Sequence, residues 1–355
     1  MTKVVLGVDI GHETVKLASL EHTGHRFRLQ GMKLSKIPIG CWKPDSLTNI
    51  DEIAKVINES ISQASPHRIN ARRIAIALPE SVIFSATLSL PRLNDAELEK
   101  ALPYELAERL SLNPEEYHVD FEKVSSKCVP ISQSTVIKTD SLSAKKDKDK
   151  ELEKVAESKP KPVEVPTVDQ QIVFAVATKK TLIESVVELC EKTRLELVAI
   201  DIKPGAIIRS VIPGDDLKAR VVIDMGVGGS GISVAEGHSL RVTSTVPWGT
   251  HAIAQTITGP VEGLREKIAP VLDELVHITK FFENRVCPGL RIEQVIISGT
   301  GASIPDIAGI FQQETGLPSV LAEPFKNIDT HSFAVPVELR HTFADAIGLA
   351  MRTDD

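Results

Sequence analysis

The chain has 355 residues, enough for more than one hydrophobic core, and its 42% hydrophobic and 25% charged content marks most of it as globular. A formal charge of -7 with 4% aromatic residues argues against phosphate-backbone binding and base stacking, so no nucleic-acid partner is expected. Cys41, Cys128, Cys190 and Cys287 lack CxxC and zinc spacing and read as idle thiols, while the lack of a signal-peptide pattern and of roughly 18 consecutive apolar residues predicts a cytoplasmic protein that meets a membrane only through a partner.

Residues 3–37 read as three short strands, the first ending at Asp9, the second running from Val15 to Leu20, the third starting near Arg26. Ile50, Ile53, Ile57 and Ile61 recur at helical steps and predict a helix over 50–64. Arg73 to Leu78 is a buried-type strand stopped by Pro79. A second unit opens with the strand Val82 to Leu90. Asn94 and Glu97 then form a capping-box pattern for a helix whose face carries Leu98, Leu102, Leu106 and Leu110, with Pro103 as a kink point. Tyr117 to Val124 reads as a strand.

Residues 125–169 are rich in Ser, Lys, Asp, Glu and Pro, too poor in apolar side chains to offset chain entropy, and are expected to be a disordered insertion. Ile172 to Ala177 resumes as a strand, followed by a helix from Thr181 to Thr193, a strand from Leu195 to Ile202 and a short helix near Pro204 to Val211. The second half repeats the opening: Ala219 to Asp224, a Gly-rich turn, Ile232 to Ala235, a turn at Gly237, and Leu240 to Val246. A single long helix over 264–285, a strand Ile292 to Ser298 with a Gly turn behind it, and a closing helix His341 to Met351 complete the reading.

The internal duplication is the informative feature. Asp9-Ile10-Gly11-His12-Glu13-Thr14-Val15-Lys16 is matched 215 residues later by Asp224-Met225-Gly226-Val227-Gly228-Gly229-Ser230-Gly231. Gly-rich hairpin turns let backbone N–H groups approach phosphate oxygens. Thr14 and Ser230 add hydroxyl donors, Lys16 a positive charge for the terminal phosphates, and Asp9 and Asp224 carboxylates for a hydrated Mg²⁺. A third turn, Ser298-Gly299-Thr300-Gly301-Ala302-Ser303, joins a strand to a helix and suits close approach to an adenosine and its phosphates. The candidate nucleotide-binding set is therefore Asp9, Gly11, His12, Thr14, Lys16, Asp224, Gly226, Gly228, Gly229, Ser230, Gly299, Thr300, Gly301 and Ser303, with Asp9 and Asp224 as metal candidates. His22 and His25 lack a third metal ligand, and His277, among Leu275, Val276 and Ile278, reads as a packing residue.

These three turns resemble the phosphate 1, phosphate 2 and adenosine motifs of the actin, Hsp70 and sugar-kinase superfamily. Ala344, Ala346 and Gly348 resemble its second connecting helix. Within it, Ala77-Leu78-Pro79, Leu88-Ser89-Leu90-Pro91, the helix from Glu97 to Leu110, Phe174-Ala175-Val176-Ala177, Leu197-Val198-Ala199-Ile200-Asp201 and Glu323-Pro324-Phe325 resemble the PilM family, related to FtsA.

The resemblance implies an α/β, actin-like (ribonuclease H-like, duplicated) two-lobe fold. Residues 1–215 would form the first lobe, with a small domain inserted at about 80–202, and residues 216–355 the second. It implies an ATP- and Mg²⁺-binding scaffold of a type IV pilus or type II secretion-like complex at the inner membrane, with weak or absent ATPase activity. It further implies binding of the N-terminal cytoplasmic tail of a PilN-like membrane protein, near the cleft beside the small domain, with pilus motor ATPases and self-association as further contacts. Three departures stand out. Gly229, Ser230 and Gly231 replace a Thr-rich run, His12 stands where a small hydroxyl residue is common, and 251–270 is short, leaving Glu266 and Lys267 as base-contact candidates. An FtsA-like polymerising protein and a small-molecule kinase are the alternatives. The first would form filaments with nucleotide; the second needs a carboxylate base in a sugar pocket, which the sequence does not display.

Overall fold

Two sheets of one topology organise the molecule, in a computed structural model that describes residues 3–23, 26–124, 170–253, 263–331 and 333–352. In the first sheet, Lys3–Ile10 pairs antiparallel with Thr14–Thr23, which pairs antiparallel with Arg26–Lys36; on its other side lie the parallel strands Arg73–Leu78 and Glu196–Ile202. In the second, Ala219–Met225 pairs antiparallel with Ser230–Glu236 and that with Ser239–Val246, while Gln294–Ser298 and Ser319–Leu321 add in parallel. The duplication read from two short motifs thus extends over whole sheets. Asp9 stands opposite Ala77, and Asp224 opposite Ser298, at the same point of each copy.

The central strands are apolar on both faces because both faces are covered. Leu6, Val8 and Ile10 pack with Ile53, Ile57, Leu182 and Val186. Val5, on the other face, packs with Ala206 and Leu349. In the second lobe, Val221 and Ile223 meet Leu275, Ile278 and Phe282, while Val222 faces Ile207 and Ile208.

A separate three-stranded sheet contains Phe84–Pro91, Gln170–Lys179 and Tyr117–Val124, all antiparallel, with Gln170–Lys179 central. The helix Asp95–Leu110 buries Leu98, Leu102, Leu106 and Leu110 on Leu88, Val173 and Ala175. Each such side chain contributes about 1.5–3 kcal/mol of burial. The capping box is formed: Asn94 Oδ1 accepts from the Glu97 N–H at 3.0 Å, and Glu97 Oε2 from the Asn94 N–H at 2.8 Å. The helix continues through Pro103.

Three boundaries differ from expectation. The helix Lys180–Thr193 and the strand Glu196–Ile202, assigned to the small domain, lie in the first lobe, because the strand pairs with Arg73–Leu78. The second half of the chain also returns there: Ile328–Asp329 pairs with Arg26–Lys36, and Phe343, Ala346 and Ile347 pack on Ala18, Leu20 and Leu29. The single helix expected over 264–285 is Leu264–Lys267, then Ala269–Phe281, then a π turn Phe282–Val286; Pro270 lies in the first turn of the main helix, where its missing N–H costs nothing. The insertion expected at 125–169 lies outside the described residues.

Two connecting helices join the lobes, Lys203–Val211 and Ala344–Ala350, and they pack on each other. Gly348 makes this possible: a Cβ there would collide with the backbone carbonyl of Ala206.

Candidate functional site

Each duplicated hairpin closes with a short turn. The Gly11 N–H donates to the Thr14 carbonyl at 2.8 Å, and the Gly226 N–H to the Gly229 carbonyl at 3.0 Å. The two turns face one another across a single cavity of about 510 Å³. They approach each other where a Cβ on Gly228 would lie 3.0 Å from the His12 ring; His12 also meets His251 edge-on at 6.2 Å. The third turn closes another side. Gly299 has φ +81°, and a side chain there would run into Asp224 Oδ1.

Of the residues singled out in sequence, Gly11, His12, Thr14, Lys16, Asp224, Gly226, Gly228, Gly229, Ser230, Gly299 and Thr300 line this cavity. Asp9 lies behind it, 1% exposed. Gly301 packs under Met225, and Ser303 points outward, its hydroxyl donating to the Glu338 carbonyl at 3.4 Å. The Ser230 hydroxyl, expected to meet phosphate, donates instead to the Trp248 carbonyl at 2.8 Å. Glu266 and Lys267 are not among the lining residues.

The charge arrangement differs most from expectation. Lys16 Nζ is held by two buried carboxylates, donating to Asp9 Oδ2 and Asp345 Oδ2, each at 2.8 Å. Lys203, first residue of its helix, reaches between the lobes: its Nζ lies 3.2 Å from Asp9 Oδ1, 3.3 Å from Asp224 Oδ2 and 3.6 Å from Asp345 Oδ2. The contact with Asp9 Oδ1 is ionic and lacks hydrogen-bond alignment, which leaves that buried oxygen without a hydrogen-bond partner.

Burial pushes the charges of Asp9, Asp345, Lys16 and Lys203 towards neutrality, and the neighbours decide the outcome. Burial works to raise Asp9, but Lys16 and Lys203 outweigh it and hold the carboxyl well below the usual range. Burial works to lower both lysines, but the surrounding carboxylates raise them above the ordinary lysine value. Asp345 is pushed up to about 7 by burial and by the charge of Asp9 beside it. Glu80, buried on the short turn after Pro79, is also raised to about 7, by burial first and then by Asp224. Three aspartates and two lysines therefore form a cluster that is close to neutral when Asp345 keeps its proton.

This bears on the Mg²⁺ expected at Asp9 and Asp224. The pair is brought together as expected for an ion held through water, but the Lys203 ammonium already stands at one oxygen of each, so the carboxylates do not fit a metal at that point between them. A divalent ion about 4 Å from that ammonium would be repelled by about 8 kcal/mol at an effective dielectric of about 20. Among the described residues, no three His, Cys, Asp or Glu side chains are grouped so as to hold a metal ion.

Lys203, Asp345, Glu80 and Trp42 went unread in sequence. Trp42 lines the cavity and its Nε1 donates to the Ile10 carbonyl at 2.7 Å. One local signal was available for Lys203: a lysine opening a helix, beside Pro204, sits against the positive end of the helix dipole and needs a carboxylate to hold it there. Asp345 carried a similar hint, as an acid in an otherwise apolar and small run, Ala344 to Ala350.

Other readings fell differently. His277 is exposed, 3.7 Å from Glu274, and does not pack in the core. His22 stacks on Phe27 at 4.8 Å, and His25 lies outside the described residues. Cys41 and Cys190 are free and buried, as idle thiols would be, whereas Cys287 is disulfide-bonded.

A second cleft, of about 560 Å³, opens between the three-stranded sheet and the two lobes. Phe174, Val176, Ile200 and Leu240 supply its apolar surface, with Arg209 and Arg352 among its charged groups. The strand Tyr117–Val124, an edge strand of its sheet, lends it His118, Asp120 and Glu122.

Residues 7–169 match the family described as Type IV pilus assembly protein PilM. Over 99% of its length the chain is similar to 98% of a chain in a PilM-PilN type IV pilus biogenesis complex, at 20% identity and a TM-score of 0.73. It is also similar to ethanolamine utilization protein EutJ from Carboxydothermus hydrogenoformans, at 13% identity over 98% of this chain and 89% of that one, TM-score 0.49. A third similar structure is MreB5 of Spiroplasma citri bound to ADP, at 10% identity over 98% and 95%, TM-score 0.47. The actin-like fold and the PilM resemblance read from the sequence are both borne out. Among the described residues no helix is long and apolar enough to cross a membrane.

Proposed function

With the PilM family matched over residues 7–169 and the actin-like fold running the length of the chain, we propose that this protein is an ATP-binding scaffold of a type IV pilus assembly complex. The observation that carries the reading is the meeting of both duplicated turns, and of the Gly299 turn, at one cavity. Phosphates enter between the turns and meet their backbone N–H groups and Thr14. Adenosine lies towards Gly299 and Thr300. Lys203 supplies the positive charge nearest the phosphates; Lys16 supports it from behind by holding Asp9 and Asp345. The role read from this arrangement is nucleotide binding.

The cleft beside the three-stranded sheet is the proposed seat of the N-terminal cytoplasmic tail of a PilN-like membrane protein. Its mixed surface suits a short segment with apolar and charged side chains, and the edge strand Tyr117–Val124 offers backbone groups for pairing. Such a tail would hold the protein at the inner face of the membrane. Pilus motor ATPases and further copies of the chain are proposed as additional contacts of the scaffold.

Two measurements test this. Titration with a fluorescent ATP analogue should show saturable binding that Gly299→Val weakens at least about tenfold, since the new side chain needs a positive φ and collides with Asp224. Unchanged affinity in that variant would remove the nucleotide from this cavity. A synthetic tail peptide should bind the wild type and fail to bind Val176→Asp; equal binding by the two would remove the tail from this cleft.

A further inference from the structure

We propose that Lys203 is the resident cation of the nucleotide site, standing where a divalent metal would stand, so that the protein binds nucleotide without an obligatory metal ion. The consequence for nucleotide rests on the function proposed above; the lysine's role as a cation is testable without any nucleotide.

The geometry is that of a cation among carboxylates. One ammonium lies 3.2–3.6 Å from oxygens of Asp9, Asp224 and Asp345, which come from the first lobe, the second lobe and the second connecting helix. Lys203 itself starts the first connecting helix. Asp9 and Asp224 are equivalent positions of the duplication, at the strand ends, and a metal shared between lobes would need both of them. Both are 8% exposed or less, so neither can relax its charge into water.

The balance of charge points the same way. Lys16 neutralises the far side of Asp9 and Asp345 at 2.8 Å, and Lys203 the near side. A divalent ion added to this set would have to expel the lysine. The Lys203 side chain keeps a small exposed fraction, lines the cavity, and so presents charge to a phosphate while holding the aspartates. An ammonium differs from Mg²⁺ in one useful respect: it is tethered and needs no ordered water shell.

The test uses the full chain and Mn²⁺ alone, followed by titration calorimetry. Wild type is expected to show no saturable Mn²⁺ binding. Lys203→Ala is expected to gain a Mn²⁺ site, at least about tenfold tighter than any wild-type binding, that disappears when Asp224→Asn is added. Saturable Mn²⁺ binding by wild type that Asp9→Asn abolishes, or no gain in Lys203→Ala, would overturn the proposal. Lys203→Gln replaces the alanine variant if that one does not fold.

A wild-type measurement supports the same decision without any variant. Affinity for a fluorescent ATP analogue in excess EDTA should stay within about threefold of that in Mg²⁺, whereas a loss of tenfold or more in EDTA overturns the proposal. Should the analogue bind in neither buffer, the nucleotide reading fails, and the Mn²⁺ titration still decides what Lys203 does.

Discussion

Glu80 and Lys16 show how far single side chains are governed by burial here. Glu80 is held against Gly231 in the cavity wall, and its carboxyl is raised from 4.5 to about 7. Between those two values the folded chain keeps a proton that the unfolded chain has lost, so stability falls as pH rises through that window. Glu80→Gln should remove this dependence. Urea unfolding at pH 8 should find the variant more stable by on the order of 2–3 kcal/mol, and the gain should vanish near pH 4.5. Lys16→Met should act in the opposite sense. It leaves Asp9 and Asp345 facing each other in the interior, at a cost of about 3 kcal/mol at pH 8, and less at pH 5, where Asp345 holds its proton. Equal losses at both pH values would show that Lys16 acts through packing and not through charge.

The secondary-structure elements divide by where their stability arises. The helix Asp95–Leu110 begins with a formed capping box on an exposed turn, so Asn94→Ala should cost about 1 kcal/mol in chemical denaturation and leave nucleotide affinity unchanged. The helix Ala344–Ala350 depends instead on near contact with Lys203–Val211. Gly348→Ala places a methyl group into the Ala206 carbonyl and should cost about 3 kcal/mol or more, because two backbones must separate. Since Lys203 and Asp345 ride on these two helices, nucleotide affinity should fall with it. A variant of normal stability and affinity would mean that the helices are free to part.

For the molecule as a whole, the charged cluster ties both lobes to both connecting helices, and the two clefts share the elements around Ile83, Ile202 and Lys203. A ligand that binds only the folded form stabilises it by about 2.7 kcal/mol at a hundredfold excess over Kd. ATP should therefore raise the melting temperature of the whole chain in one transition. If the tail peptide binds tighter with ATP present, ATP must bind tighter with the peptide present by the same factor, and calorimetry in both orders checks that equality.

Much of this was legible in the linear chain. Strand periods, the capping box and the repeated Asp-x-Gly turns depend on neighbours a few residues apart, and these determined the two lobes, the helix faces and the cavity-lining glycines. Side-chain partners were another matter. Lys16 was read as a phosphate ligand, yet its charge is held by Asp9, its cross-strand partner seven positions back, and by Asp345, which lies 329 positions away. Ser230 was read as a donor to phosphate, yet folding brings the Trp248 carbonyl to it first. The chain returns to the first lobe at Ile328–Asp329, and Lys203 comes to rest between Asp9 and Asp224, only once both sheets are assembled. Local hydrogen bonding and periodicity act over a turn or a strand, so the order of residues carries them. Buried charge pairing depends on which groups the closed core deprives of water, and that is settled by packing across the whole fold.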